Sequence, residues 1–129
     1  MKLAIAGSRG FDDYELLCKV LSKSNQTIDQ IVSGGARGAD KLGAKYARDN
    51  EIDLVEFIPD WDKHGKAAGY IRNADIVDAC DCLLALWDGK SKGTMHSSGL
   101  AKKQGKKVVI FNYETGEVEK FNHEENENE

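Results

Sequence analysis

Apolar residues fall along this chain in short runs separated by amphipathic segments. KLAIAG (residues 2–7) is continuous enough in hydrophobicity to predict a buried strand. FDDYELLCKVLSKS follows it, with Leu16, Leu17, Val20 and Leu21 at helical spacing behind two acids suited to a helix N-terminus. DQIVSG predicts a second strand. It leads through glycines into ADKLGAKYARDN, a helix in which Leu42, Ala44, Tyr46 and Ala47 can face a sheet and Asp40 can cap or charge the first turn. DLVEFIP is a third strand, halted by Pro59. DWDKHGKAAGYIRNADIVDAC opens as a polar loop and turns helical near Ala67, with Ile71, Ala74, Ile76 and Val77 as its apolar positions. CLLALWDG reads as a strand covered on both faces, GTMHSSGLAKKQGK as a helix stopped at Gly105, and KVVIFN as a fifth strand. YETGEVEKF holds a Thr-Gly turn between short alternating segments and predicts a terminal hairpin.

Strands alternating with helices predict an α/β protein: an open parallel sheet of about five strands with helices on both faces and a C-terminal hairpin. Ligands of such sheets bind beyond the carboxyl ends of the strands, near the point where strand order reverses, so the loops after each strand are where chemistry is expected.

Composition narrows the classes. A chain of 129 residues suits one domain with a substantial core. No apolar run approaches the roughly 20 residues of a membrane span, and the first residues read as a strand, not a signal peptide, so a cytoplasmic location with no membrane partner is expected. Three cysteines fit a reducing compartment. Cys80 and Cys82 lack a second pair or a spaced histidine for zinc, so no metal site is expected and they read as buried thiols. The net charge of -4 is concentrated at one end: from Glu114 to Glu129 seven acids meet one lysine, and residues 1–113 carry a charge of +2. NHEENENE has no apolar residue and is expected to be a disordered acidic tail over 123–129.

The loops after the strands hold glycines and cations. GSRG brings Gly7, Ser8 and Arg9; SGGARGAD brings Gly34, Gly35, Arg37, Gly38 and Asp40; the third loop leads to Arg72 and Asn73; WDGKSKGT brings Ser91, Lys92, Gly93 and Thr94. Seven cations, Arg9, Arg37, Lys63, Lys66, Arg72, Lys90 and Lys92, lie in these loops or the helix starts beside them. Glycine lets backbone N–H groups approach a phosphate closely, and the following helix adds its unpaired amides and the positive end of its dipole. SGGARGAD and SKGT are thus candidate anion nests facing one crevice, although tight turns of no further purpose have the same composition. Neither is a P-loop (G-x-x-x-x-G-K-[ST]) nor the dinucleotide fingerprint G-x-G-x-x-G. Arg9 and Arg72 can clamp oxygens, with Arg72 alternatively a surface residue of its helix; Trp61 or Trp87 can stack on a base, with Trp87 alternatively a core residue at a strand end; and Asp60, Asp62 and Asp88 are candidate acids or bases or plain turn residues.

With AGSRGF, IVSGGARGAD, DWDKHGKAAGYIRN and WDGKSKGT in this order, the chain resembles the YspA-like, or YpsA-related, branch of the SLOG superfamily, named after the Smf/DprA and LOG (Lonely Guy) proteins. The resemblance spans roughly Leu3 to Ile110. It implies one Rossmann-like domain over 1–122 that binds an NAD- or ADP-ribose-like ligand, with binding residues at Gly7, Ser8 and Arg9, at Gly34, Gly35, Arg37, Gly38 and Asp40, at Arg72 and Asn73, and at Gly93 and Thr94. LOG enzymes cleave the N-glycosidic bond of nucleoside monophosphates with a glutamate on the helix after P-G-G-x-G-T-x-x-E. Here Ser97 stands at the glutamate position and the leading P-G-G is missing. A serine offers no carboxylate to activate water or stabilise an oxocarbenium-like transition state. The expectation is therefore a sensor or sequestering module for a nucleotide-derived small molecule. A hydrolase of an N-glycosidic or phosphate bond is the alternative. No bound cofactor and no nucleic-acid partner are expected, and a homo-oligomer is compatible with the sequence.

Overall fold

The computed structural model of the protein describes residues 1–23 and 27–122; the expected acidic tail at 123–129 lies outside them. Six strands form one sheet: β1 (Lys2–Gly7), β2 (Gln30–Ser33), β3 (Asp53–Glu56), β4 (Cys82–Trp87), β5 (Lys107–Asn112) and β6 (Val118–Phe121). Their order is β3-β2-β1-β4-β5-β6. The first five are mutually parallel, and β6 returns antiparallel to β5, which is the expected terminal hairpin.

The central strands alternate between two buried faces because side chains in a strand point up and down with period two. Leu3, Ile5, Cys82, Leu84 and Leu86 face one way, under helices α1 (Tyr14–Ser22) and α2 (Ala39–Asp49), where Leu17, Leu21, Ala39 and Ala47 meet them. Ala4, Ala6, Leu83 and Ala85 face the other way, under α4 (Ala68–Ala79) and α5 (Lys92–Lys103), where Ile76, Val77 and Ala101 complete the second core. Each large aliphatic buried this way contributes roughly 1.5–3 kcal/mol, which is why residues 3–6 (LAIA) and 82–86 (CLLAL) hold no charged position.

Local chemistry sets the helix starts. Asp13 accepts from the Leu16 amide at 3.0 Å and caps α1, as the two acids before that helix suggest. α2 follows one of the two roles expected of Asp40: its cap position is Gly38, which has no side chain to offer, and Asp40 is the acid of its first turn, with its carboxylate accepting from the Ala36 amide at 3.2 Å. The polar segment after Pro59 is a short helix, α3 (Trp61–His64), capped by Asp60, and a 3-10 turn at Gly65–Ala67 joins it to α4. On α4 the buried positions are Ala68, Asn73, Ile76 and Val77, and Ile71, expected to be inward, points outward at 39% exposure. Asn73 takes an inward place because its amide has partners on two sides.

The sheet order places a reversal between β1 and β4. From β1 the chain steps outward to β2 and β3, then crosses back to β4 on the other side of β1. The helices that cover opposite faces leave a crevice above the carboxyl ends of these two strands.

Candidate functional site

That crevice is a cleft of about 440 Å³. The β1–α1 loop supplies Ser8, whose amide continues the ladder by donating to Leu86 O at 2.9 Å and whose hydroxyl oxygen accepts from the Asp88 amide at 3.0 Å. Its carbonyl accepts from Ala39 N at 3.3 Å and so holds the first turn of α2. Ser8 is buried, while the next residue, Arg9, is exposed on the cleft wall.

The β2–α2 loop is built inward. Ser33 Oγ donates to the Asp40 carbonyl at 3.0 Å and accepts from the Gly35 amide at 3.3 Å, and the Ala36 amide donates to Asp40 Oδ2. Two amides of SGGARGAD therefore already serve the chain's own polar groups. A carboxylate only 6% exposed requires donors, and the Ala36 amide supplies one. The cradle expected of this loop is partly filled by Asp40. Gly34 lies beneath it, and a side chain there would meet Arg72 Nη1 at 2.6 Å and Asp40 Oδ2 at 2.7 Å. At Gly38, φ is +77° and a Cβ would stand 2.3 Å from Ser8 O, so only glycine allows the two loops to touch.

Arg72 reaches across from α4. Its Nη1 donates to Gly34 O and its Nε to Asn73 Oδ1 at 3.0 Å. Asn73 in turn pairs through Nδ2 with His96 Nδ1 at 3.3 Å. Burial pulls the Arg72 guanidinium down from its ordinary value, and Asp40 offsets part of that shift. Burial pushes Asp40 up against the opposing Ala36 hydrogen bond and the Arg72 and Arg9 charges.

The β4–α5 loop closes the far wall. Asp88 Oδ1 accepts from Lys90 N at 2.8 Å and Ser91 N at 2.9 Å, which holds its carboxyl below the usual range. Ser91 caps α5: its Oγ accepts from the Thr94 amide at 3.3 Å and from Thr94 Oγ1 at 3.0 Å. Its carbonyl accepts from Met95 N, so the amides of Lys92 and Gly93 precede the intrahelical ladder at the cleft end of α5. Ser97, at the position where LOG enzymes carry glutamate, is buried on the same wall and donates to Gly93 O at 3.3 Å.

Of the expected binding residues, the cleft brings together Gly7, Ser8, Arg9, Asp40, Arg72, Asn73, Ser91, Gly93 and Thr94. Gly34, Gly35, Arg37, Gly38, Trp61, Trp87 and Lys92 do not line it. Arg37 and Lys92 point to solvent, Trp61 stands 53% exposed on α3, and Trp87 donates from Nε1 to Ser91 O at 3.1 Å while packing on the second core. Of the seven cations only Arg9 and Arg72 are in the lining. Asp60 serves as the α3 cap, leaving Asp40 and Asp88 as the carboxylates of the cleft. Ala36 and Ile76 also line it. Ile76 follows Arg72 by four residues on α4, so helical spacing alone places the two on one face.

Two guanidiniums and an open helix N-terminus favour anionic oxygens. Two carboxylates beside them repel a phosphate but accept from hydroxyls, and Ser8, Ser91, Thr94 and Ser97 add small polar side chains. The combination suits a ligand that carries both phosphate and a sugar diol. Among the described residues no three His, Cys, Asp or Glu side chains are grouped to hold a metal ion, and no helix is long and apolar enough to cross a membrane.

Three comparisons bear on this arrangement. The model of the family described as YspA, cpYpsA-related SLOG matches residues 1–64, the span from β1 to α3. The Gene 61 protein of Mycobacterium phage D29 is 35% identical over 120 residues, covering 85% of this chain and 95% of that protein. Among solved structures, DNA processing protein A (DprA) from Streptococcus pneumoniae superposes with a TM-score of 0.71 at 20% identity. That match covers 85% of this chain and 50% of DprA, so this chain spans half the length of that protein and shares its fold.

Proposed function

The chain belongs to the YspA, cpYpsA-related SLOG family, and on that premise we propose that it binds a nucleotide-derived ligand, an NAD- or ADP-ribose-like signal or metabolite, as a sensor or sequestering module. One observation carries the reading: Arg9, Arg72 and the start of α5 converge on the same cleft as the Asp40 and Asp88 carboxylates, at the strand-order reversal. Cationic and dipolar groups are positioned for phosphate oxygens, and carboxylates for ribose hydroxyls. Ser97 supports holding over cutting, since its hydroxyl is occupied with Gly93 O and supplies no carboxylate. The partner is a small molecule; a body charge of +2 gives little attraction for nucleic acid. Calorimetry of the folded protein against ADP-ribose, NAD and nucleoside monophosphates tests the reading. Binding of at least one is expected, and binding of none contradicts it.

A hydrolase reading is favoured by one feature, the Asp40 carboxyl. It is buried in the cleft and raised by that burial, a condition shared with general acids. Chromatography of each ligand after incubation and denaturation separates the two: a binder returns its ligand intact, and a hydrolase returns base, ribose or phosphate fragments.

A further inference from the structure

His96 does not line the cleft, yet it belongs to the network that holds one of the cleft's guanidiniums. It is half-buried in the second turn of α5, with its ring edge-on to Tyr70 of α4 at a centroid distance of 4.6 Å and an interplanar angle of 73°. Its Nδ1 lies 3.3 Å from the Nδ2 of buried Asn73. Asn73 Oδ1 accepts from Arg72 Nε at 3.0 Å, and Arg72 Nη1 donates to Gly34 O. A hydrogen-bonded chain thus runs from α5 through α4 to the β2–α2 loop.

One arrangement of protons satisfies this chain. A guanidinium has donors and no acceptor, so Asn73 presents its oxygen to Arg72 and its NH2 group to His96, whose Nδ1 must then be unprotonated. An imidazolium carries protons on both nitrogens. Its Nδ1–H faces the Asn73 NH2, and turning the amide over sets that NH2 against Arg72 Nε–H instead. Either way a donor faces a donor at a buried amide, and such a mismatch is costly. The surroundings do not stabilise the added charge. α5 packs against α4, β4, β5 and β1; the strands present apolar side chains to this layer, with Lys2 and Lys107 at their far ends. On α4 the titratable neighbours are Tyr70 and Arg72; exposed Asp75 lies about 200° around the helix from Asn73, and Asp78 accepts from Gln104 at the other end of α5. Lys92 stands one turn before His96, and Asp88 is occupied by the Lys90 and Ser91 amides. Among the described residues no carboxylate pairs with His96.

We propose that His96 is a positioning residue for Arg72: neutral, it holds Asn73 in the orientation that fixes the guanidinium at the cleft, and protonated, it releases the guanidinium and weakens the hold on a phosphate-bearing ligand. The inference takes its ligand from the nucleotide-binding reading and its mechanism from the hydrogen-bonded chain alone. The charge of an imidazolium works in the opposite direction, by attracting phosphate. It stands outside the lining and partly in solvent, where salt screens it. The hydrogen bond lost from Arg72 involves a charged group and is worth about tenfold in affinity, so weaker binding in acid is the net sign.

Titration calorimetry of the full chain with ADP-ribose at about pH 8 and about pH 5.5, a span that covers imidazole protonation, tests this beside the His96→Gln variant. Glutamine keeps an acceptor for the Asn73 amide and does not titrate, and every other titrating group, Asp40 among them, is common to both proteins. On acidification wild type is expected to lose about tenfold more affinity than His96→Gln. An equal pH dependence in the two, or a wild type that gains affinity relative to the variant, overturns the proposal and leaves the cleft reading standing. Nitrogen-15 spectra of the ligand-free protein follow the chain itself: the Arg72 Nε–H resonance should move with His96 protonation in wild type and stay in place in His96→Gln. A resonance that stays in place in wild type overturns the proposal even where ADP-ribose binds. If ADP-ribose binds at neither pH while the resonance still follows His96, the nucleotide reading falls and the positioning chain stands.

Discussion

Arg72 on α4 donates from Nη1 to the carbonyl oxygen of Gly34, 38 residues earlier in the chain, at 2.5 Å. This contact ties the helix on one face of the sheet to the loop that opens the helix on the other, across the mouth of the cleft. Arg72→Ala removes both the strap and a half-buried charge. Hydrogen bonds to charged groups contribute about 1.5–3 kcal/mol, so ADP-ribose affinity is expected to fall roughly 10- to 100-fold. Arg72→Lys keeps the charge without the planar fork and recovers only part of the loss. Calorimetry beside circular dichroism checks both; wild-type affinity in Arg72→Ala would confine this residue to a structural part.

Asp40 makes a prediction with a definite sign. Burial raises its carboxyl above the ordinary value of 3.8, so the folded state binds the proton more tightly than the unfolded state does. The folded state is therefore favoured at low pH, and this advantage is lost as pH rises from about 3.8 through the raised value. Asp40→Asn keeps an acceptor for the Ala36 amide and removes the charge. Its thermal midpoint at neutral pH should exceed that of wild type by roughly 2–5 °C, and the gap should close toward acid. A lower midpoint at neutral pH would mean that the charges of Arg72 and Arg9 outweigh the desolvation.

Gly38→Ala addresses the junction of the two loops. The substitution places a Cβ against Ser8 O at a φ that side chains rarely adopt, and should cost about 1–3 kcal/mol or more in urea unfolding. An unchanged midpoint would show that the loops part without penalty.

Much of this architecture is legible in the sequence, for identifiable reasons. Strands buried on both faces carry uninterrupted apolar runs, so β1 and β4 stand out, and Asp13 before an amphipathic segment marks a helix cap. The site is legible as a set of loops, less so residue by residue. Glycine and arginine in SGGARGAD point to a cradle, but sequence does not reveal that Asp40 folds back to take the Ala36 amide or that Arg37 points to solvent. Trp87 reads either as a stacking platform or as a core residue at a strand end, and only the fold shows it packed on the second core with its indole N–H on the Ser91 carbonyl. Such outcomes depend on contacts between segments distant in sequence or on which way a short turn faces, and neither has a periodic signature.

The Asn73 amide fixes a tautomer. Its Oδ1 accepts from Arg72 Nε, so its Nδ2 is the donor toward His96 Nδ1, and the neutral imidazole must carry its proton on Nε2. Nitrogen-15 spectra of the neutral imidazole should show an unprotonated Nδ1. In Asn73→Asp a carboxylate replaces the donor, and the proton should move to Nδ1. An Nδ1–H signal from the neutral ring in the wild type would contradict this orientation.

The most direct test of the cleft as a nucleotide site is an amide chemical-shift map of the protein titrated with ADP-ribose. The account predicts saturable shifts concentrated at Ser8, Arg9, Asp40, Arg72, Thr94 and Ser97, with Arg37, Trp61 and Val118 unmoved. Absence of shifts, or shifts centred on Trp61 or β6 with the cleft amides still, would contradict it.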